Sequence, residues 1–222
     1  MTVLVAGGTG FLGAAVVREL TRSGHGVAAT WVVEAERDRL ASEPVELIEA
    51  NLFDPDAAEA AVAAVDDLEA VVNLVGGFAD GPRLHETDPA EFARLMQLNL
   101  TPAFLLARAA MPRLMERGGG AYLCVSARTA LRPYPGGGAY SIAKASVLAL
   151  VNALDVEYRR EGVRCNAILP SVIDTPANRE GQPDADHSKW VKPEEIARVV
   201  RFLVSEESAV TSGAAVPVYG RA

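Results

Sequence analysis

The chain has 222 residues, half of them apolar, enough to enclose one large core. Its 21 Lys and Arg against 29 Asp and Glu give a net charge of -8, which argues against a nucleic-acid backbone or an anionic membrane as partner. No apolar run reaches the roughly 20 residues of a membrane span, and the first residues run straight into a strand pattern without a signal peptide. A soluble, cytoplasmic protein is expected.

In chain order, apolar strand-like runs alternate with segments of helical period. TVLVAG (2–7) precedes an amphipathic stretch at 11–22, and GVAATWV (26–32) precedes one at 35–41. VELIEA (45–50) is followed by 56–65, AVVNLVG (70–76) by 89–117, and AYLCVS (121–126) by 141–161. VRCNAILP (163–170) leads into a polar, Pro- and Gly-bearing stretch at 174–192, then a helix pattern at 193–205 and a last strand, AVPVYG (215–220). Strands apolar on both faces, separated by helices, predict an α/β fold with one parallel sheet covered on each side. No repeat or linker divides the chain, so residues 1–222 are expected to form a single domain. The 174–192 stretch is expected to be a long loop covering the substrate. Cys124 and Cys165 sit in apolar strands and are expected to be reduced core thiols, with no metal site.

Between the first strand and the first helix stand Gly7, Gly10 and Gly13. Glycines in that context allow a tight turn and a close backbone approach. A pyrophosphate can then sit on the free N–H groups at a helix N-terminus. A carboxylate at the end of the second strand would hold the ribose 2′-hydroxyl of NAD. Here Thr30 and Trp31 stand at that point, and the first acid is Glu34. Arg37 and Arg39 come next, so NADP(H) is favoured and NAD(H) remains open.

Tyr140 and Lys144 are four residues apart at the start of a helix pattern and share one face. A phenol is a poor acid or base at neutral pH. A neighbouring ammonium is expected to favour the phenolate and bring proton transfer into range. Pro102 cannot donate to the carbonyl of Leu98, so a kink is expected beside Asn99.

Taken together, GGTGFLG at 7–13, NLVGG at 73–77, Asn99, Tyr140-Ser-Ile-Ala-Lys144, NAILPSVIDTP at 166–176 and the segment 192–220 resemble the short-chain dehydrogenase/reductase family over nearly the whole chain. The resemblance implies a doubly wound Rossmann-type sheet of about seven strands and hydride transfer with a nicotinamide nucleotide. It implies Tyr140 as acid/base, Lys144 as partner to tyrosine and nicotinamide ribose, and Asn99 as support for a water chain to the lysine. Cofactor contacts are implied at Gly7, Thr9, Gly10, Phe11, Leu12, Gly13, Trp31, Asn51, Leu52, Val75, Gly76, Gly77, Pro170, Ile173 and Thr175. Ser171 replaces a usual glycine.

Family members carry a substrate-orienting serine thirteen positions before the tyrosine, where this chain has Ala127. Ser126 is offset by one, and strand alternation aims it to the other face. The chain also resembles the quinonoid dihydropteridine reductases through GGFADG at 76–81, SARTALRPYPGGGAYSIAK at 126–144 and the segment 169–196. That branch lacks the serine and reduces an already electrophilic C=N system, with an aromatic such as Phe78 facing the flat substrate. Ala127, Arg128 and His187 are further substrate candidates, with His85 and Trp190 as polar neighbours. The acceptor is thus a carbonyl or an activated C=N or quinonoid group. The alternative is a nucleotide-binding sensor that has lost catalysis. The wide apolar faces of helices 89–117 and 141–161 are expected to join subunits into a homodimer or homotetramer.

Overall fold

All seven expected strands form: β1 (Thr2–Ala6), β2 (Gly26–Trp31), β3 (Glu46–Glu49), β4 (Leu68–Asn73), β5 (Gly120–Val125), β6 (Val163–Pro170) and β7 (Ala215–Val218). In the computed structural model they make one parallel sheet in the order β3-β2-β1-β4-β5-β6-β7. The structure describes residues 2–221; Met1 and Ala222, which the single-domain expectation includes, lie outside the described residues. Six helices connect the strands: α1 (Phe11–Arg22), α2 (Pro55–Ala63), α3 (Pro89–Glu116), α4 (Gly138–Tyr158), α5 (Pro176–Gly181) and α6 (Pro193–Val204).

Side chains along a strand alternate faces, which explains strands that read apolar throughout. Leu4, Val71, Tyr122 and Cys124 point into a core shared with α2, α3 and α4. Val3, Val5, Val72 and Leu123 point the other way, onto α1 and α6. Each fully buried Val or Leu in these layers contributes roughly 1.5–3 kcal/mol of transfer free energy. Cys124 and Cys165 are buried and unlinked, and burial pushes both thiols up to about 12.

The strand order reverses between β1 and β4, which opens a crevice at the C-terminal ends of the strands, where ligands bind in such sheets.

Three sequence expectations need correction. Residues 35–41 do not form an α-helix but a 3₁₀ stretch, Glu34–Leu40. The 174–192 stretch is structured: it holds α5, a 3₁₀ turn at His187–Lys189, and a bridge pairing Ile173 with Val191. Pro102, beside which a kink is expected, lies inside α3, which runs as one helix across it. The segment Gly138–Glu161 is long and apolar enough to span a membrane by length and composition. Its Val147, Val151 and Leu154 instead pack into the core beneath the sheet. Phe104 on α3 and Ile142 and Val156 on α4 remain exposed.

Candidate active site

The crevice contains two cavities that share Leu74 and Gly76 as a common wall. The first, about 610 Å³, lies over the turn from β1 to α1 and the end of β2. Gly7, Thr9, Gly10, Trp31, Asn51, Leu52, Val75 and Gly76 line it, as the sequence suggested. Two of its glycines leave no room for a side chain: a Cβ on Gly8 would stand 2.6 Å from the Ala29 Cβ, and one on Gly13, in the first turn of α1, 2.2 Å from the Gly7 carbonyl oxygen. Gly10 caps α1 without a side-chain hydrogen bond, and the first turn holds no acidic residue. Free N–H groups and the helix dipole therefore face the cavity uncompensated, which suits a pyrophosphate.

Thr30 was not among the predicted contacts. Its Oγ1 accepts from the Gly7 N–H at 3.0 Å and fixes the loop to β2. Arg39 donates to the Thr9 carbonyl at 2.7 Å, pairs with Glu36 at 2.9 Å, and lies over the Phe11 ring. Arg37 lies 4.6 Å over the Trp31 ring and pairs with Glu34. Glu36 lines the same cavity.

The second cavity, about 580 Å³, is walled by Leu12, Gly76, Gly77, Phe78, Ala127, Arg128, Tyr140, Lys144, Pro170 and Ile173 among others. Tyr140 and Lys144 enter it from the first turns of α4, and both are buried. The Lys144 ammonium donates to the Val125 carbonyl at 3.2 Å and lies 5.9 Å from the centroid of the Tyr140 ring. Burial lowers Lys144 from 10.5 to about 8. Burial also raises Tyr140 well above the ordinary phenol value. The expectation that Lys144 brings the phenol down is thus not met, because burial of the phenol disfavours its charged form.

Asn99 is 1% exposed, and its amide is fully occupied. It donates to the carbonyls of Leu95 and Gly77 at 3.0 and 3.1 Å and accepts from the Gly77 N–H at 3.1 Å. A Cβ on Gly76 would lie 2.6 Å from the Asn99 amide oxygen and 2.9 Å from the Lys144 nitrogen. A side chain there would clash with both, and Asn99 fixes the segment after β4 at Gly77.

The misplaced serine is resolved by a hydrogen bond. Ser126 borders the cavity, but its hydroxyl donates to the Lys144 carbonyl at 2.8 Å and ties α4 to β5. Ala127 lines the wall where the family's hydroxyl would stand. Two residues on, Thr129 also lines the cavity; its hydroxyl is buried and makes no hydrogen bond among the described residues. Phe78 is 54% exposed and meets the Tyr140 ring edge-on at 5.1 Å.

Several candidates lie elsewhere. His187 does not line the cavity; its ring packs on Trp190 at 4.3 Å and its Nε2 is 2.8 Å from the Gln182 carbonyl. The intervening residues fold into α5 and a 3₁₀ turn, and these turn His187 away. His85 is exposed beside Glu86, and Trp190 is buried outside the cavity. Thr175 caps α5 by accepting from the Asn178 N–H at 3.3 Å, and it is Asn178 that reaches the cavity wall. Tyr134 and Asp80, bonded to each other, close the outer wall. Sequence periodicity gave no signal for them, because they lie in irregular loops.

A family model described as enoyl-(acyl carrier protein) reductase matches residues 9–220. The chain is 30% identical to the 2-(R)-hydroxypropyl-CoM dehydrogenase of Xanthobacter autotrophicus, over 78% of this chain and 76% of that one. It is 29% identical to the 3-oxoacyl-[acyl-carrier-protein] reductase MabA of Mycobacterium bovis, over 99% and 91%. A solved short chain dehydrogenase/reductase family protein superposes with a TM-score of 0.91 at 27% identity, covering 99% of this chain and 96% of that chain. A glycine turn opening onto a helix N-terminus, a buried Tyr–Lys pair beside it and this kinship agree: the chain belongs to the short-chain dehydrogenase/reductase family and is an NAD(P)-dependent oxidoreductase.

Proposed function

We propose that the protein reduces a planar, activated acceptor, a carbonyl or a C=N or quinonoid group, with NADPH preferred and Tyr140 as proton donor. The observation carrying this is the placement of Tyr140 and Lys144 in a cavity that shares a wall with the glycine-lined crevice. A bound nicotinamide nucleotide supplies the hydride. Gly10 and the first turn of α1 offer backbone N–H groups to its pyrophosphate. Tyr140, held as a neutral phenol by burial, donates its proton to the acceptor atom on which negative charge develops. Lys144, charged at neutral pH, favours the phenolate left behind.

Ala127 shapes the choice of acceptor. Losing one hydrogen-bond donor to a developing oxyanion slows reactions that need it by about 10²–10³-fold. An acceptor that is already electrophilic needs that donor least. Phe78 and Tyr134 offer flat walls for such a ring. NADPH oxidation measured against quinonoid dihydropterin and a panel of ketones, aldehydes and quinones tests this. Turnover of simple dialkyl ketones in preference to the activated acceptors would contradict it.

Preference for NADPH rests on Trp31 in place of a carboxylate at the end of β2, with Arg37 over its ring and Arg39 bonded to the Thr9 carbonyl; Glu36, paired with Arg39, and Glu49 line the same cavity as Trp31. Trp31→Asp is expected to shift the NADPH/NADH ratio of kcat/KM at least about tenfold toward NADH, through repulsion of the phosphate and binding of the free diol. An unchanged ratio would place discrimination elsewhere.

Self-association through α3 and α4 belongs to the same reading, since Phe104, Ile142 and Val156 lie exposed on those helices. Sedimentation at micromolar concentration is expected to give a dimer or tetramer; one species near 23.4 kDa would refute it.

A further inference from the structure

We propose that the substrate carries a carboxylate and that Arg128 holds it. The inference rests on the reductase reading for the position of the reacting group, and on the state of one arginine for the rest. Arg18, Arg37, Arg39, Arg113, Arg164 and Arg201 are half-buried, and each gives a hydrogen bond or an ion pair. Among the described residues Arg128 is the half-buried arginine with neither. Its guanidinium lies 5.2 Å from the ring of Tyr219 and lines the substrate cavity.

A guanidinium that faces the cavity without a protein acceptor keeps its N–H donors available to a ligand. The aromatic face holds it in place by a cation–π contact and leaves its planar edge of N–H donors free. A carboxylate matches that edge with two parallel hydrogen bonds, which a neutral group cannot do. The acid that lines the same cavity, Asp80, accepts from the Tyr134 hydroxyl. The cavity is therefore polar and cationic at Arg128, aromatic at Phe78 and Tyr134, and reactive at Tyr140. A flat keto or formyl acid fits that order of groups.

Three matched pairs test the assignment: 4-formylbenzoate, 3-formylbenzoate and phenylglyoxylate, each against its methyl ester. The acid of at least one pair is expected to exceed its ester about 10- to 100-fold in kcat/KM, the range of a hydrogen bond to a charged group. The advantage should lie mainly in KM. In Arg128→Met the acid/ester ratio should fall to about one, and Arg128→Lys should restore part of it. Calorimetric titration of the enzyme–NADPH complex with 4-(hydroxymethyl)benzoate and its methyl ester, alcohols that cannot accept hydride, reads the same contact without turnover. Acid-selective binding lost in Arg128→Met, together with no turnover of any pair, would keep the carboxylate site and sink the reductase reading. Esters that bind and react as well as acids in the wild type, or an acid preference that survives in Arg128→Met, would overturn the proposal.

Discussion

Tyr140→Phe is expected to lower kcat by about 10²–10⁴-fold, the usual worth of a positioned proton donor. Its affinity for nucleotide should stay within a few-fold of the wild type. The ring is what packs: it meets Phe78 at 5.1 Å and fills the wall of the cavity, and the substitution keeps it. The variant loses only the one acidic hydrogen at the site of developing charge. Burial keeps that phenol protonated through the neutral range, so the rate of reduction should show no loss from Tyr140 ionisation below pH 8. Single-turnover kinetics beside a nucleotide titration separate the two properties. A variant retaining most of kcat would remove Tyr140 from the chemistry.

Lys144→Met should inactivate the enzyme and yet stabilise the nucleotide-free fold at pH 7. The ammonium is buried, with the Val125 carbonyl as its hydrogen-bond acceptor, and its folded value of about 8 lies below 10.5. A depressed lysine means that the unfolded chain binds the proton more tightly. The resulting penalty is therefore fully present below about pH 8 and fades as pH rises toward 10.5. At about 1.4 kcal/mol per pH unit the penalty is on the order of 3 kcal/mol. Denaturant unfolding at pH 7 and pH 10 should show the variant more stable at the lower pH by that order, with the gap narrowing at the higher. A variant less stable than the wild type at pH 7 would show that the charge is better compensated than its surroundings indicate. Loss of both kcat and nucleotide affinity in the same variant would agree with an ammonium facing phenol and cofactor.

The sheet was legible because its information is periodic. Every strand run, from TVLVA to AVPV, recurs as a strand, and the glycine turn comes from the geometry demanded of it. Tyr140 and Lys144 were legible for the same reason, since four residues on a helix put two side chains on one face. Three-dimensional compensation was not legible. Nothing in the sequence says that Ser126 bonds the Lys144 carbonyl or that Asn99 is consumed by Gly77 and Leu95. The same holds for desolvation, which raises Tyr140 although a lysine stands near it. His187 was misplaced because a polar, Pro- and Gly-bearing stretch was read as an open loop. That stretch contains α5, which redirects the chain before it reaches His187 and packs the ring on Trp190.

The central claim is hydride delivery from the crevice to an acceptor beside Tyr140. Its most direct test is mass spectrometry of the product formed with NADPH deuterated at C4 of the nicotinamide. The wild type should yield product carrying one deuterium from a single face of the ring, with one NADPH consumed per molecule, and Tyr140→Phe should yield almost none under the same conditions. Nucleotide that binds tightly while no acceptor in the panel gains deuterium would contradict the account.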